Sequence, residues 1–146
     1  MCSEGALAQV RANQYSPEIM EGKGCTANAL LVYGNLLICA NAGDSRCVVG
    51  EGGRAIPLSF DHKPNLKKER ERIYKAGSTV NIEGRIDGNL NLSRAIGDIA
   101  HKKSPKVKLE DQAVTSMPDC KMHQISNKTD FVIIGCDGIW ETKTSQ

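Results

Sequence analysis

Apolar runs separated by glycine-rich turns dominate the first half of the chain. The runs Ala27 to Tyr33 and Leu36 to Ala42 flank the pair Gly34-Asn35, a pattern typical of a β-hairpin. Two shorter runs, Arg46 to Val49 and Arg54 to Leu58, follow after further turn residues. We expect these strands to form an antiparallel meander. Because the first two runs are apolar almost throughout, we expect them to lie inside a sandwich.

A single helix is predicted next, over residues 64–77. Leu66, Ile73 and Tyr74 form its apolar stripe, and Gly77 is a typical helix stop. The remaining residues of this segment are charged and predict a solvated face, made of Lys67, Lys68, Glu69, Glu71 and Arg72.

The last apolar run, Phe131 to Gly135, is rich in β-branched residues and predicts a strand buried on both faces. Asp137 follows it, and an anion at the end of a buried strand is costly unless it is paired. Two devices would pair it: backbone hydrogen bonds in an Asp-Gly turn, or a bound cation. Taken alone, the residue fits either reading.

Asp44 holds a similar position after the second strand, beside Gly43. If the strands before Asp44 and Asp137 are neighbours, the two carboxylates meet at one end of the sandwich. Carboxylates without a nearby histidine favour hard divalent cations, Mg²⁺ or Mn²⁺. The three histidines lack the spacing of a zinc site. Spacing alone thus leaves Asp44 and Asp137 as candidate metal ligands, with ordinary turn carboxylates as the alternative.

Composition narrows the function classes. The chain has 146 residues, 40% of them hydrophobic and 25% charged, with a net charge of +2. These values are typical of a soluble globular protein and give no electrostatic case for nucleic acid or a membrane surface. A nucleic-acid module built on Lys102 to Lys108 fits poorly because aromatic residues are scarce. The sequence contains no Gly-x-Ser-x-Gly elbow and no P-loop.

Compartment and domain organisation are expected to be simple. The six cysteines include no Cys-x-x-Cys pair, which indicates a reducing compartment, and no apolar run approaches the ~20 residues of a membrane span. We expect a cytoplasmic or nuclear protein. Residues 1–23 are predicted to be an irregular leader and residues 24–146 one partial domain.

Several short motifs occur in an order that resembles one family. They are Gly24-Cys25-Thr26-Ala27, Asn41 to Arg46, Asp61-His62-Lys63-Pro64, Gly88 to Asp98, Val114-Thr115 with Pro118-Asp119, and Cys136 to Trp140. Each motif is weak alone, but together they make the chain resemble the metal-dependent protein serine/threonine phosphatases of the protein phosphatase 2C type. The fold this implies is α+β, an antiparallel β-sandwich with flanking helices, of which this chain is an incomplete part.

The resemblance also implies a chemistry and roles for particular residues. A dinuclear Mg²⁺ or Mn²⁺ centre activates a water that hydrolyses phosphoserine or phosphothreonine in a phosphoprotein substrate. Asp137 matches a carboxylate of that centre, and Asp44 matches the one associated with a third, more weakly held metal. The segment Ile73 to Asn89 would include the flap beside the site. Arg94 and Asp98 are interpreted as structural supports.

The departures from the family pattern are equally informative. The motif Asp-Gly-His-Gly and the final Asp-Asn motif do not occur, and the chain covers about the middle half of the family's domain. One or two carboxylates cannot hold two hard cations. We expect this chain to be inactive alone, with a non-catalytic phosphatase-like binding or regulatory domain as the alternative. Strands deprived of their neighbours also predict self-association through exposed edges.

Overall fold

Two antiparallel sheets pack face to face in a computed structural model, which describes residues 22–146. The first sheet has the order β2-β3-β7, formed by Ala27–Tyr33, Leu36–Ala42 and Asp119–Gln124. The second has the order β5-β4-β8, formed by Arg54–Pro57, Arg46–Glu51 and Thr129–Gly135. The predicted sandwich is confirmed. The predicted leader over residues 1–23 lies, except for its last two residues, outside the described residues.

The β2-β3 hairpin forms where the sequence predicts it. Its register pairs Ala27 with Ala42 and Tyr33 with Leu36. Gly34 adopts a positive φ of 58°, the left-handed conformation that a tight hairpin turn requires and that glycine adopts without strain.

The predicted meander is wrong, because β3 and β4 do not pair. The chain instead crosses from the first sheet to the second between Ala42 and Arg46, so each hairpin belongs to a different sheet. Gly43 makes this crossing at a φ of 119°. A Cβ on Gly43 would lie 2.4 Å from Cγ2 of Thr26, so a side chain does not fit there.

The crossing places the inward faces of the two sheets against each other. Buried residues from β3, β4 and the segment after β5 form the core between the sheets: Leu37, Cys39, Cys47, Val49 and Leu58. This core explains the small apolar residues and the buried cysteines of both hairpins, since each packs across the interface between the sheets.

Two strands are more exposed than predicted. In β8, Phe131 is 58% exposed and Ile133 is 45% exposed, so the predicted burial on both faces is wrong. In β2, Leu31 is 57% and Tyr33 73% exposed. Both strands end their sheets: within residues 22–146, each pairs with a neighbour along only one edge. Apolar sequence alone does not distinguish such an edge from the centre of a sheet.

The helix α1, Lys67–Ala76, begins later than predicted because Leu66 keeps an extended backbone. It ends as predicted at Gly77, whose φ is 94° and whose N–H donates to the carbonyl of Tyr74. The predicted stripe is only partly correct, because Ile73 is buried whereas Leu66 and Tyr74 are exposed. Glu69, assigned to the solvated face, is 2% exposed.

A second, smaller core lies beneath α1. Its members come from α1 and from the irregular segment between α1 and β7: Ile73, Ala76, Ile86, Ala95, Ala113 and Val114. This segment contains the short strand β6, Ile96–Gly97, which pairs with β1, Gly24–Cys25, and two 3₁₀ turns, Ile99–Lys102 and Leu109–Asp111. One helical turn, α2, Asp137–Trp140, follows β8. No described helix has the length and apolar character needed to cross a bilayer.

The second core yields a test of the fold. Ile73 is fully buried in it, whereas Ile82 in the same region is fully exposed. We expect Ile73→Ala to lower the free energy of unfolding by about 2–5 kcal/mol, because it leaves a cavity. Ile82→Ala should change it by less than about 0.5 kcal/mol. Urea unfolding measures both, and equal effects would contradict the described packing.

Candidate functional site

Asp44 and Asp137 line one small cavity of about 120 Å³ at one end of the sandwich. The cavity is otherwise walled by charged side chains and one aromatic ring: Arg46, Asp61, Lys63, Glu141 and Trp140. The structure therefore brings the two sequence-predicted residues together. Their role as metal ligands stays a prediction.

The pairing of β4 with β8 explains why the two carboxylates meet. These strands are antiparallel, and Arg46, the first residue of β4, pairs with Gly135, the last residue of β8. Asp44 stands two residues before that pair and Asp137 two residues after it. Both residues therefore leave the sheet at the same end.

The helical turn α2 is held against the end of β8. The indole N–H of Trp140 donates to the carbonyl of Gly135 at 2.7 Å. The guanidinium of Arg46 lies over the Trp140 ring, 5.8 Å from its centroid. These contacts fix the start of α2 and thus the position of Asp137, its first residue.

Two carboxylates in the cavity wall are already paired with cations. Asp61 accepts from Nε of Arg46 at 2.7 Å and from Nη2 at 2.9 Å, a bidentate ion pair. Oδ2 of Asp44, a residue only 4% exposed, accepts a hydrogen bond from Nζ of Lys63. Asp137 and Glu141 have no such ion pair within residues 22–146 and face the cavity as free carboxylates.

Sequence reasoning missed Glu141. It follows Asp137 by four residues, and its N–H donates to the Asp137 carbonyl at 2.8 Å, which closes the turn of α2. Glu141 is the C-cap of the single turn α2, and residues four apart lie on the same side of such a turn. That spacing was the available signal. Lys63 and Asp61 were also missed as cavity residues, although their motif was noted.

The donor chemistry fits a hard divalent cation only in part. Asp137 and Glu141 offer free carboxylate oxygens, the ligands that Mg²⁺ and Mn²⁺ prefer. However, the Lys63 ammonium neutralises Asp44. Among the described residues, no three His, Cys, Asp or Glu side chains are grouped so that they could hold a metal ion. The residues present thus form part of an oxygen-donor site.

A buried ionic network supports this end of the molecule, and Glu69 is its centre. Arg94 donates to the Glu69 carboxylate through Nη2 at 2.7 Å and through Nε at 3.1 Å. Arg72 donates to it through Nη1 at 2.5 Å, and the hydroxyl of Ser93 at 2.7 Å. Arg94 also donates to Oδ1 of Asp119 at 2.9 Å. The network bears out the structural role predicted for Arg94.

The network shifts the pKa of its acidic members. Burial raises the pKa of Glu69, but the hydrogen bond from Arg94 and the charge of Arg72 outweigh it, and the pKa falls to about 2. Burial likewise raises the pKa of Asp119, while hydrogen bonds from Arg94 and His62 bring it down to about 2. Glu69 is therefore a stable buried anion and not a proton donor near neutral pH.

Comparisons with known proteins agree with this architecture. The family model described as "Protein phosphatase 2C" matches residues 2–146. "Protein phosphatase 2C homolog 2" of Hypocrea jecorina is 50% identical over 144 residues, which cover 98% of this chain and 33% of the relative. Human "Protein phosphatase 1G" is 46% identical over 134 residues, 87% of this chain and 24% of the relative.

Solved structures share the fold. A phosphatase from a pathogenic strain of Toxoplasma gondii has a TM-score of 0.67 and 40% identity, over 73% of this chain and 33% of that one. A C. elegans sex determining protein has a TM-score of 0.77 and 25% identity, over 95% of this chain and 33% of that one.

Fold and cavity define this chain as an antiparallel β-sandwich protein with a carboxylate-lined site at one end. The chain belongs to the protein phosphatase 2C family. It spans between 24% and 38% of the length of these curated relatives.

The Glu69 network generates a stability prediction. We expect Glu69→Gln to lower the free energy of unfolding by about 3–5 kcal/mol, because it leaves two arginines without their buried counter-charge. Glu71→Gln, an exposed acid on the same helix, is the matched control and should cost less than about 0.5 kcal/mol. Urea unfolding at neutral pH compares the two variants, and similar losses would refute the network's importance.

The same residue predicts how stability depends on pH. The folded pKa of Glu69, about 2, lies below its unfolded value of ~4.3. Its stabilisation is therefore fully present above the unfolded pKa and lost as the pH falls towards 2. Between these values the wild-type chain should lose stability more steeply than Glu69→Gln. Parallel curves for the two proteins would contradict the lowered pKa.

Proposed function

We propose that this chain is part of the catalytic domain of a metal-dependent protein serine/threonine phosphatase. Family membership supports the reaction class. The observation that carries the proposal to this chain is the meeting of Asp44, Asp137 and Glu141 around one cavity. Carboxylate oxygens are the ligands that Mg²⁺ and Mn²⁺ prefer, and this cavity supplies part of such a donor set. The substrate class is a phosphoserine or phosphothreonine protein.

In this proposal the chain's own residues supply and orient oxygen donors. Asp137 and Glu141, one helical turn apart, both line the cavity. The bidentate pair between Arg46 and Asp61 forms another part of the cavity wall. Lys63 compensates the charge of the buried Asp44 carboxylate. When bound, Mg²⁺ or Mn²⁺ lowers the pKa of a coordinated water and neutralises charge on phosphoryl oxygens.

We further propose that the 146-residue chain does not hydrolyse phosphoproteins by itself. The donor set within residues 22–146 is incomplete, and the sequence lacks the Asp-Gly-His-Gly motif. The second candidate function is a non-catalytic binding or regulatory domain. The ion pair between Lys63 and Asp44 favours it, because an ammonium already satisfies one of the predicted ligands.

Cellular location belongs to the same proposal. The described cysteines, Cys25, Cys39, Cys47, Cys120 and Cys136, are all free thiols. Free thiols are typical of reducing compartments. We propose a cytoplasmic or nuclear location.

A chimera separates the two candidate functions. The 144 matched residues of this chain would replace the corresponding third of the Hypocrea jecorina relative. We expect the chimera to hydrolyse a phosphothreonine peptide only with Mn²⁺. Asp137→Asn should reduce kcat at least ~100-fold, because it removes a carboxylate from the cavity. Asp130→Asn, an exposed acid near the start of β8, is the control and should leave kcat unchanged.

A folded but inactive chimera would contradict the phosphatase proposal and favour the binding domain. Conversely, Mn²⁺-dependent turnover by the 146-residue chain alone would contradict the proposal that this chain is inactive.

Self-association through open strand edges is a separate proposal. Within residues 22–146 the strand β2 has no partner along its outer edge, and it carries exposed apolar side chains, among them Leu31. We expect sedimentation velocity to show a mass that rises with concentration, and Leu31→Lys to lower it by charging the edge. Leu109→Lys, at a leucine outside the sheets that is 71% exposed, should have no effect. A wild-type monomer at every concentration would disprove the proposal.

A further inference from the structure

His62 is a buried ring whose two nitrogens both have partners. Its Nδ1 accepts a hydrogen bond from the backbone N–H of Gly43 at 3.1 Å. Its Nε2 lies 3.2 Å from Oδ2 of Asp119. A backbone N–H can only donate, so Nδ1 must be unprotonated. The neutral ring therefore carries its proton on Nε2 and donates it to the Asp119 carboxylate.

His62 is hydrogen-bonded to both backbone polar groups of Gly43, its N–H and its carbonyl. The backbone N–H of His62 donates to the Gly43 carbonyl at 3.1 Å, while the ring accepts from the Gly43 N–H. The side-chain amide of Asn41 donates to the same carbonyl at 3.1 Å. Gly43 is buried, and its positive φ sets the direction in which the chain leaves β3. The next residue is Asp44.

Asp119, the partner of Nε2 of His62, is itself hydrogen-bonded to Arg94. Oδ1 of Asp119 accepts from Nη1 of Arg94 at 2.9 Å, and Arg94 forms a bidentate pair with the buried Glu69. This arrangement leaves Asp119 with one oxygen for Arg94 and the other for His62. A continuous series of hydrogen bonds thus runs from Glu69 on α1 to Gly43, the residue before Asp44.

These contacts exclude two other roles for the ring. A metal ligand needs a free nitrogen lone pair, and the only lone pair of this tautomer faces the Gly43 N–H. A proton donor to substrate would need an Nε2–H directed at the cavity, and that proton faces Asp119. Nor does His62 line the cavity that holds Asp44 and Asp137.

We propose that His62, with its tautomer set by Asp119, is a positioning residue that orients the Asp44 carboxylate towards the cation site. The inference rests on the proposed function, since the orientation of Asp44 matters only where that carboxylate meets a cation. Outer hydrogen-bond partners of metal ligands commonly govern metal affinity by 10–100-fold. Here His62 acts through the backbone of Gly43 and makes no hydrogen bond to the side chain of Asp44.

Two substitutions separate the two nitrogens of the ring. His62→Asn places an amide oxygen near the Nδ1 position, so it keeps an acceptor for the Gly43 N–H and loses Asp119. His62→Gln places an amide nitrogen near the Nε2 position, so it keeps the donor to Asp119 and loses Gly43. Asp44→Asn defines the loss expected when the carboxylate itself is gone.

The readout is Mn²⁺ binding to the 146-residue chain. It is measured by the paramagnetic broadening of the backbone amide signals beside Asp44 and Asp137. We expect His62→Gln to raise the half-broadening Mn²⁺ concentration by about 10-fold or more, approaching Asp44→Asn. His62→Asn should stay within about 3-fold of wild type, because the acceptor for Gly43 remains. A merely structural role would lower the thermal stability of both variants without separating their Mn²⁺ affinities.

An independent readout tests the geometry without metal. In ¹⁵N NMR of the wild-type chain, Nε2 of His62 should carry the proton, and the Gly43 amide should be protected from hydrogen exchange. A protonated Nδ1, or equal Mn²⁺ affinities for the two His62 variants, would overturn the proposal. Absence of any Mn²⁺ effect in wild type would also overturn it. If wild type shows no Mn²⁺ effect but Nε2 of His62 carries the proton, the proposed cation site is wrong and the described geometry is right.

Discussion

The register between β4 and β8 is the constraint on which the candidate site depends. Pairing Arg46 with Gly135 places the start of one strand beside the end of the other. Asp44 lies two residues before Arg46, and Asp137 lies two residues after Gly135. Both residues therefore leave the sheet at the same end. A slip of one residue would turn the side chains of one strand to the opposite face and break this alignment. Two carboxylates 93 positions apart in sequence thus reach one cavity through a single strand pairing.

Buried charges link the elements at this end of the molecule. A buried carboxylate such as Glu69 is costly unless hydrogen bonds and opposite charges compensate it. Arg94, Arg72 and Ser93 do so, and they tie α1 to the irregular segment that precedes β7. Through Asp119 and His62 the same network reaches Gly43, where the chain crosses between the sheets. The helix therefore supports the site although it contributes no residue to the cavity wall.

Features set by neighbouring residues were predictable from sequence, and features set by distant partners were not. The bounds of β2 and β3 follow from two apolar runs and a Gly-Asn turn, and the end of α1 follows from Gly77. Even the meeting of Asp44 and Asp137 could be expected, because each follows an apolar strand beside a glycine.

The sheet crossing at Gly43 could not be predicted, since a glycine between two strands serves a hairpin and a crossing equally well. Glu69 was assigned to solvent because its partner Arg94 lies 25 positions away, beyond the reach of any helical pattern. The exposure of β8 likewise depends on which strands stand beside it.

The most direct test of this account is the β4-β8 register in solution. Cross-strand backbone NOEs in the 146-residue chain should pair Arg46 with Gly135 and Val48 with Ile133. Observing both pairs would establish that Asp44 and Asp137 leave the sheet at the same end. A register shifted by one or more residues, or no NOE between these two strands, would contradict the account.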